Sequence, residues 1–241
     1  CVSRFETQVF PEGHEKAEAN LFYVERLLKF LMWQRGGCTV YCGGPKSIGD
    51  YLTQCYQPGG LRAFDFHFMG EDVYERPFRV VVCAPEEVPA AHEMSQPLGR
   101  HLEGCRIGFD LGASDRKVSA VIDGEAVYSE EVVWEPRKQS DPAYHYNEVM
   151  TAIRTAASKM PRVDAIGGSS AGVYIGNRAM IASLFRGIPK DRFGEVREMF
   201  LRIGRELEVP LVIVNDGEVT ALAGSMSLED NGGVGIALGS S

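Results

Sequence analysis

Residues 106–131 read RIGFDLGASDRKVSAVIDGEAVYSEE. An apolar strand, RIGFDLG, carries Asp110 and runs into a glycine-bearing turn. A Walker loop would continue as G-x-x-x-x-G-K-[ST], and a dinucleotide fingerprint would place G-x-G-x-x-G at the start of a helix. Neither pattern is present. The turn leads into another strand, KVSAVID, and Asp123-Gly124 then supplies the dipeptide that a tight hairpin favours. The backbone N–H groups of Gly112 to Asp115 therefore lie in a turn between two strands. Such a turn can offer consecutive donors to an anion without a helix dipole. Taken alone, an ordinary turn with an exposed aspartate explains the stretch equally well.

Downstream, the apolar spacing predicts a helix over 143–160, with Met150, Ile153 and Ala157 on one face. The chain continues as strand VDAIGGSSAG, helix FGEVREMFLRIGREL, strand PLVIVND, helix EVTALAGSM and strand GVGIALG. A hairpin followed by alternating helices and strands defines an α/β class with a mixed sheet.

Upstream, residues 15–35 have helical spacing that ends at Gly36-Gly37. A strand CTVYC, a breaker at Gly43-Gly44-Pro45 and a helix SIGDYLTQCY capped by Ser47 come next. AFDFHFMG and FRVVVCA read as strands, the first by its alternation. The Pro- and Glu-rich stretch 84–101 is the linker candidate. Residues 1–104 are thus expected to form a smaller α/β or α+β unit, separate from 105–241. A strand between the two helices and an excess of acids argue against a helix-turn-helix in that unit.

The chain has 241 residues and a formal charge of −8, with no dense Lys/Arg run. A nucleic-acid footprint needs clustered cations, so none is expected. No stretch is apolar enough for a membrane span. The six cysteines all fall at or before Cys105 without a C-x-x-C pair, which points to free thiols in a reducing cytoplasm rather than to zinc. The closing GGVGIALGSS looks like a strand entering a turn, and the expectation is that the chain is part of something longer.

DLGASDRK resembles the first phosphate loop, D-L-G-G-T-K, of the sugar kinases and ATPases of the actin-like superfamily. NDGEVTALAG (215–224) resembles the N-D-A-N-x-A-A-L-A-E segment of the ROK family (repressors, open reading frames and kinases). VDAIGGSSAGVYIG is similar to its I-G-I-S-x-P-G-x-V-D strand and loop, and VGIALGSS (234–241) to its second phosphate strand, V-x-L-G-T-G. The resemblance covers 105–241 and implies an actin-like (ribonuclease H-like) ATPase domain. It further implies an ATP-dependent sugar kinase in which Asp216 is the general base and Asp110 holds Mg2+ through water. Gly112, Ala113, Ser114, Lys117, Gly239 and Ser240 would then hold the ATP phosphates, and Ser170, Gly172, Asn215 and Asp216 the sugar. An Asn-Asp pair in front of a helix is also an ordinary N-cap, and the two roles are compatible. Ser183 stands where the family's P-N-L-P-G-W carries its asparagine, which counts against glucose. A zinc motif and the adenosine-binding half would fall beyond Ser241. The same family includes non-catalytic sugar- or nucleotide-sensing regulators, which is the alternative reading. A homodimer is left open.

Overall fold

The computed structural model describes residues 1–93, 101–229 and 234–236. The chain divides into two compact units, Cys1–Gln96 and Pro97–Ser241.

In the first unit, α1 (Ala19–Arg35), β1 (Thr39–Gly43), α2 (Lys46–Cys55), α3 (Ala63–His67) and β2 (Arg79–Cys83) follow one another. β1 and β2 pair in parallel, so the chain between them must cross over through helices. Met32, Ile48, Leu52, Cys55, Tyr56, Met69 and Phe78 form the core. Two carboxylates are sunk beside it. Glu25 pairs with Arg62, while Asp65 accepts from Lys29 Nζ at 2.9 Å and from Trp33 Nε1 at 2.7 Å.

Three sequence expectations fail in this unit. AFDFHFMG is helical: α3 runs into a π-helical segment at Phe68–Val73. Its every-second-residue aromatics also place Phe64 and Phe68 four apart, and these rings stack at 5.4 Å. Asp65 and Met69, again four apart, are the buried pair. Helical spacing wins because only it delivers Asp65 to Lys29 and Trp33. Ser47 caps nothing. α2 opens after Pro45 without a side-chain cap, and the Ser47 hydroxyl donates to Glu12 instead. The first helix also begins later than its apolar spacing suggests, at Ala19.

The second unit is built on β3 (Cys105–Leu111), β4 (Asp115–Ile122), β5 (Glu125–Val133), β6 (Ala165–Ser170) and β9 (Leu211–Asn215). Their order across the sheet is β5-β4-β3-β6-β9, with β3, β4 and β5 antiparallel and β3, β6 and β9 parallel. Two antiparallel connections followed by parallel crossovers make a five-stranded mixed sheet, as the order of elements in the sequence predicts. Asp123 and Gly124 have φ of 49° and 87°, the left-handed pair that a two-residue hairpin of the favoured twist requires.

β3 alternates strictly between buried and half-exposed residues. Ile107, Phe109 and Leu111 face α4 (Pro142–Ala157), α5 (Phe193–Arg197) and α6 (Met199–Leu207) across a core that includes Ile153, Val196 and Phe200. α4 is capped by Asp141, whose carboxylate accepts from Ala143 N. The helix expected as one piece over 193–207 breaks at Glu198 into α5 and α6. His145 is wholly buried, its Nε2 lying 3.1 Å from the Pro136 and Leu184 carbonyls. Burial is the main reason its pKa falls below the usual imidazole value.

The opposite sheet face carries Gly108, Asp110, Lys117, Gly167 and Ser169. α7 (Asp216–Leu228) brings Val219 and Leu222 to the same side, leaving a groove of about 460 Å³. A small hairpin, β7 (Gly172–Ile175) and β8 (Arg178–Ala182), lies at the β9 side of the sheet. Residues 234–236 are not in regular structure, and the rest of the strand expected there lies outside the described residues. Among the described residues, no helix is long and apolar enough to cross a membrane.

Candidate active site at the carboxyl end of the sheet

The parallel strands β3, β6 and β9 all end on the same edge of the sheet. Their register puts Asp110, Ser169 and Val214 in one row, and Leu111, Ser170 and Asn215 in the next. With strands about 4.8 Å apart, Asp110 and Val214, two residues before the start of α7, stand roughly 10 Å from each other. That edge is where ligands gather in open α/β sheets.

Asp110 ends the polar face of β3. Its Oδ1 accepts from Ser169 Oγ at 2.5 Å, which fixes the carboxylate. Ser169 is a neighbour of Asp110 that the sequence alone does not single out. Its only signal is a second serine beside Ser170, and the β3–β6 register decides which of the two meets the aspartate.

The β3–β4 turn is closed by Gly112 N, which donates to Asp115 O at 2.9 Å. Trp134 holds the turn from behind. Its Nε1 donates to Gly112 O at 2.9 Å and its backbone N to Ser114 O at 3.0 Å. With those carbonyls turned to Trp134, the N–H groups of Ala113 and Ser114 make no hydrogen bond among the described residues. Two adjacent free donors suit a phosphate oxygen. The Ser114 hydroxyl donates to Asp115 Oδ2 at 3.1 Å. Lys117, paired across the strands with Asp110, forms an ion pair with Asp115 and lies 3.7 Å from Glu131. The Lys117 hydrogen bond holds the Asp115 carboxyl below its usual range, and Asp115 in turn raises Lys117.

On the other side, Asn215 is the N-cap of α7. Its Oδ1 accepts from Gly217 N at 2.8 Å and its Nδ2 donates to Gly172 O at 2.9 Å. Both ends of the amide are thus engaged with protein. Asp216 is the first residue of α7, half-buried, with Oδ1 taking Gly217 N at 3.0 Å. The helix N-terminus is a favourable place for its negative charge. Ser170 is 1% exposed and donates to the Leu111 carbonyl at 2.8 Å, tying β6 to the end of β3. Gly172 lies so close to β8 that a Cβ would run into Ile181 O and Ala182. Of the sequence-predicted residues, Asp110, Ala113, Ser114, Lys117 and Asp216 therefore present groups at the carboxyl end. Gly112, Ser170, Gly172 and Asn215 build the frame around them. Gly239 and Ser240 lie outside the described residues.

Tyr174 is a second residue that the sequence does not flag. Its ring packs edge-on to Phe200 at 6.1 Å. Its hydroxyl is buried and makes no hydrogen bond among the described residues. Ser170 stands beside it, but the geometry between the two hydroxyls falls short of a bond. Burial pushes the phenol up to about 12, Ser170 opposes that shift, and Asp216 and Asp110 add to it. The hydroxyl therefore stays protonated in the field of both carboxylates.

No protein-family model matches the chain, and no curated protein matches it by sequence. Among solved structures, it is similar to a glucokinase from Parabacteroides distasonis, 14% identical over 53% of this chain and 35% of that one, with a TM-score of 0.41. A ROK hexokinase from Thermus thermophilus is 18% identical over 53% of this chain and 39% of that one, with a TM-score of 0.37. A ROK-family transcriptional regulator, a homologue of the E. coli MLC protein, is 16% identical over 52% and 31%, again with a TM-score of 0.37. The chain thus spans between 31% and 39% of the length of these proteins.

Proposed function

We propose that residues 105–241 are the phosphate-binding lobe of an ATP-dependent sugar kinase of the ROK type, with a cytoplasmic location. The observation that carries this reading is the convergence of Asp110 and Asp216 at the carboxyl ends of β3 and β9. Two parallel strands and their shared neighbour β6 place one carboxylate beside the phosphate turn and the other at the start of α7.

The donor set at Asp110 fits Mg2+. The described residues hold no cluster of three or more metal-ligating side chains, and one carboxylate beside a serine hydroxyl suits an ion that keeps most of its waters and leans on phosphates. When bound with ATP, Mg2+ supplies charge neutralisation on the transferring phosphoryl group. The chain's own residues do the rest. Ala113 and Ser114 N–H groups hold phosphate oxygens, and Ser169 keeps the Asp110 carboxylate aimed. Asp216 takes the proton from the attacking sugar hydroxyl, a role that general-base catalysis assigns to a carboxylate within hydrogen-bond reach of the nucleophile. Positioning, rather than covalent chemistry, provides most of the rate.

The test is ADP release by the full-length protein with Mg-ATP, measured with and without a panel of hexoses and N-acetylated hexosamines. Turnover that depends on one class of sugar is the expected result. Turnover indifferent to every sugar makes the protein an ATPase. Sugar binding with no turnover under any nucleotide makes it a sensor.

A further inference from the structure

Trp134 follows β5 directly, and the β4–β5 register, which pairs Asp115 with Val133, sets it beside Ser114. Strand alternation separates the two neighbours: Val133 is exposed, whereas Trp134 is 3% exposed and belongs to the core. α4 fixes it there. The indole lies 6.3 Å from the Tyr144 ring, 22° from parallel, and 6.2 Å from the His145 ring, edge-on. Glu135 N donates to the Tyr144 hydroxyl at 3.3 Å, which pins the next residue to the same helix. From this mount the indole reaches the β3–β4 turn. Gly112 O and Ala113 N–H belong to one planar trans peptide and point in opposite directions. By donating to Gly112 O, Trp134 Nε1 turns the Ala113 N–H away from itself. Glycine on one side leaves that peptide easy to flip. A flipped peptide presents a carbonyl oxygen, which repels a phosphate.

Resting on the kinase reading above, of which it uses only the phosphate turn, we infer that Trp134 is a positioning residue for nucleotide binding. Its indole N–H holds the Gly112–Ala113 peptide in the orientation that offers the Ala113 N–H to a phosphate oxygen. Trp134 itself touches no ligand atom. Two features separate this role from ordinary packing. A ring of any kind fills the core, but only the indole nitrogen reaches the turn. The turn is also secured without it, because Gly112 N donates to Asp115 O at 2.9 Å and Trp134 N to Ser114 O at 3.0 Å. What the indole bond adds is the direction of one donor. That donor counts because Lys117 is engaged by Asp115, which leaves phosphate contact at this turn to the backbone.

Trp134→Phe keeps a ring against Tyr144 and His145 and removes the indole N–H. Calorimetry on the full-length protein should show the Kd for Mg-ADP and for pyrophosphate raised about three- to tenfold, the worth of one hydrogen bond. Adenosine, which carries no phosphate, should bind wild type and variant within about twofold of each other. That contrast marks a misdirected donor, since a general loosening weakens all three probes together. A Kd for Mg-ADP within about twofold of wild type overturns the inference, and so does an equal loss for adenosine. Should Trp134→Phe not fold, Tyr144→Ala decides instead. It takes the ring from behind the indole at a half-buried site, and should weaken pyrophosphate about twofold or more while sparing adenosine. Tyr144→Ala without that loss overturns the inference. These probes need no sugar, so the kinase reading fails separately. A phosphate-selective loss in a protein with no sugar-dependent turnover upholds Trp134 and sinks the kinase. Sugar phosphorylation with unchanged Mg-ADP binding in the variant overturns Trp134 alone. A wild type that binds neither Mg-ADP nor pyrophosphate overturns both.

Discussion

Lys117 lies across the strand pair from Asp110, where a cation would help to hold a triphosphate, yet its charge is already matched. Asp115 binds it directly and Glu131 stands behind, so the turn as built carries no spare positive charge. Asp115 also takes the Ser114 hydroxyl, the other side chain that the turn could turn towards a phosphate. If the turn holds ATP as proposed, Asp115 opposes nucleotide binding by keeping both side chains to itself. Asp115→Asn should free Lys117 and tighten Mg-ATP binding about two- to fivefold at low salt, the scale of a partly exposed ion pair. The gain should shrink as ionic strength rises. Calorimetry on the two proteins decides it, and a loss of affinity would place Asp115 itself on the metal.

At the scale of elements, β9 is an edge strand whose exposed backbone would invite a stray partner. Asn177 closes it. The side-chain amide mimics a strand, giving a proton to Leu211 O and taking one from Ile213 N, from a backbone φ of 63° that asparagine tolerates better than most residues. Asn177→Gly keeps the backbone conformation and removes both bonds. It should destabilise the fold by about 1–3 kcal/mol in denaturant melts. A cost below about 0.5 kcal/mol would mean that the edge finds water just as good. None of this was legible in GVYIGNRAM, because the bond depends on where the hairpin docks and not on its own pattern. The β3–β4–β5 meander was legible, since its turns are local and Asp123-Gly124 names its own geometry. AFDFHFMG misled because two aromatics four apart also look like alternation when a third sits between them. Only the buried partners of Asp65 decide between the two periods.

Across the whole second unit, the site was half visible beforehand. Asp110 and Asn215-Asp216 end apolar runs, and the ends of parallel strands share an edge, so their meeting follows from the order of elements. Ser169 was hidden, because strand register brings it to Asp110 from a position with no motif. Ser170 and Asn215 carry motif positions, and their side chains also brace the frame, a second role that a motif does not announce because it names a position and not the partner its side chain meets. The central claim is that this edge assembles a phosphoryl-transfer site with Asp216 as its base. The most direct measurement is steady-state turnover of Asp216→Asn beside wild type in the full-length protein, with Mg-ATP and the sugar that supports turnover, and with nucleotide affinity measured in parallel. The account predicts a fall in kcat of about two to four orders of magnitude at unchanged Mg-ATP affinity. A variant that turns over within about tenfold of wild type contradicts it.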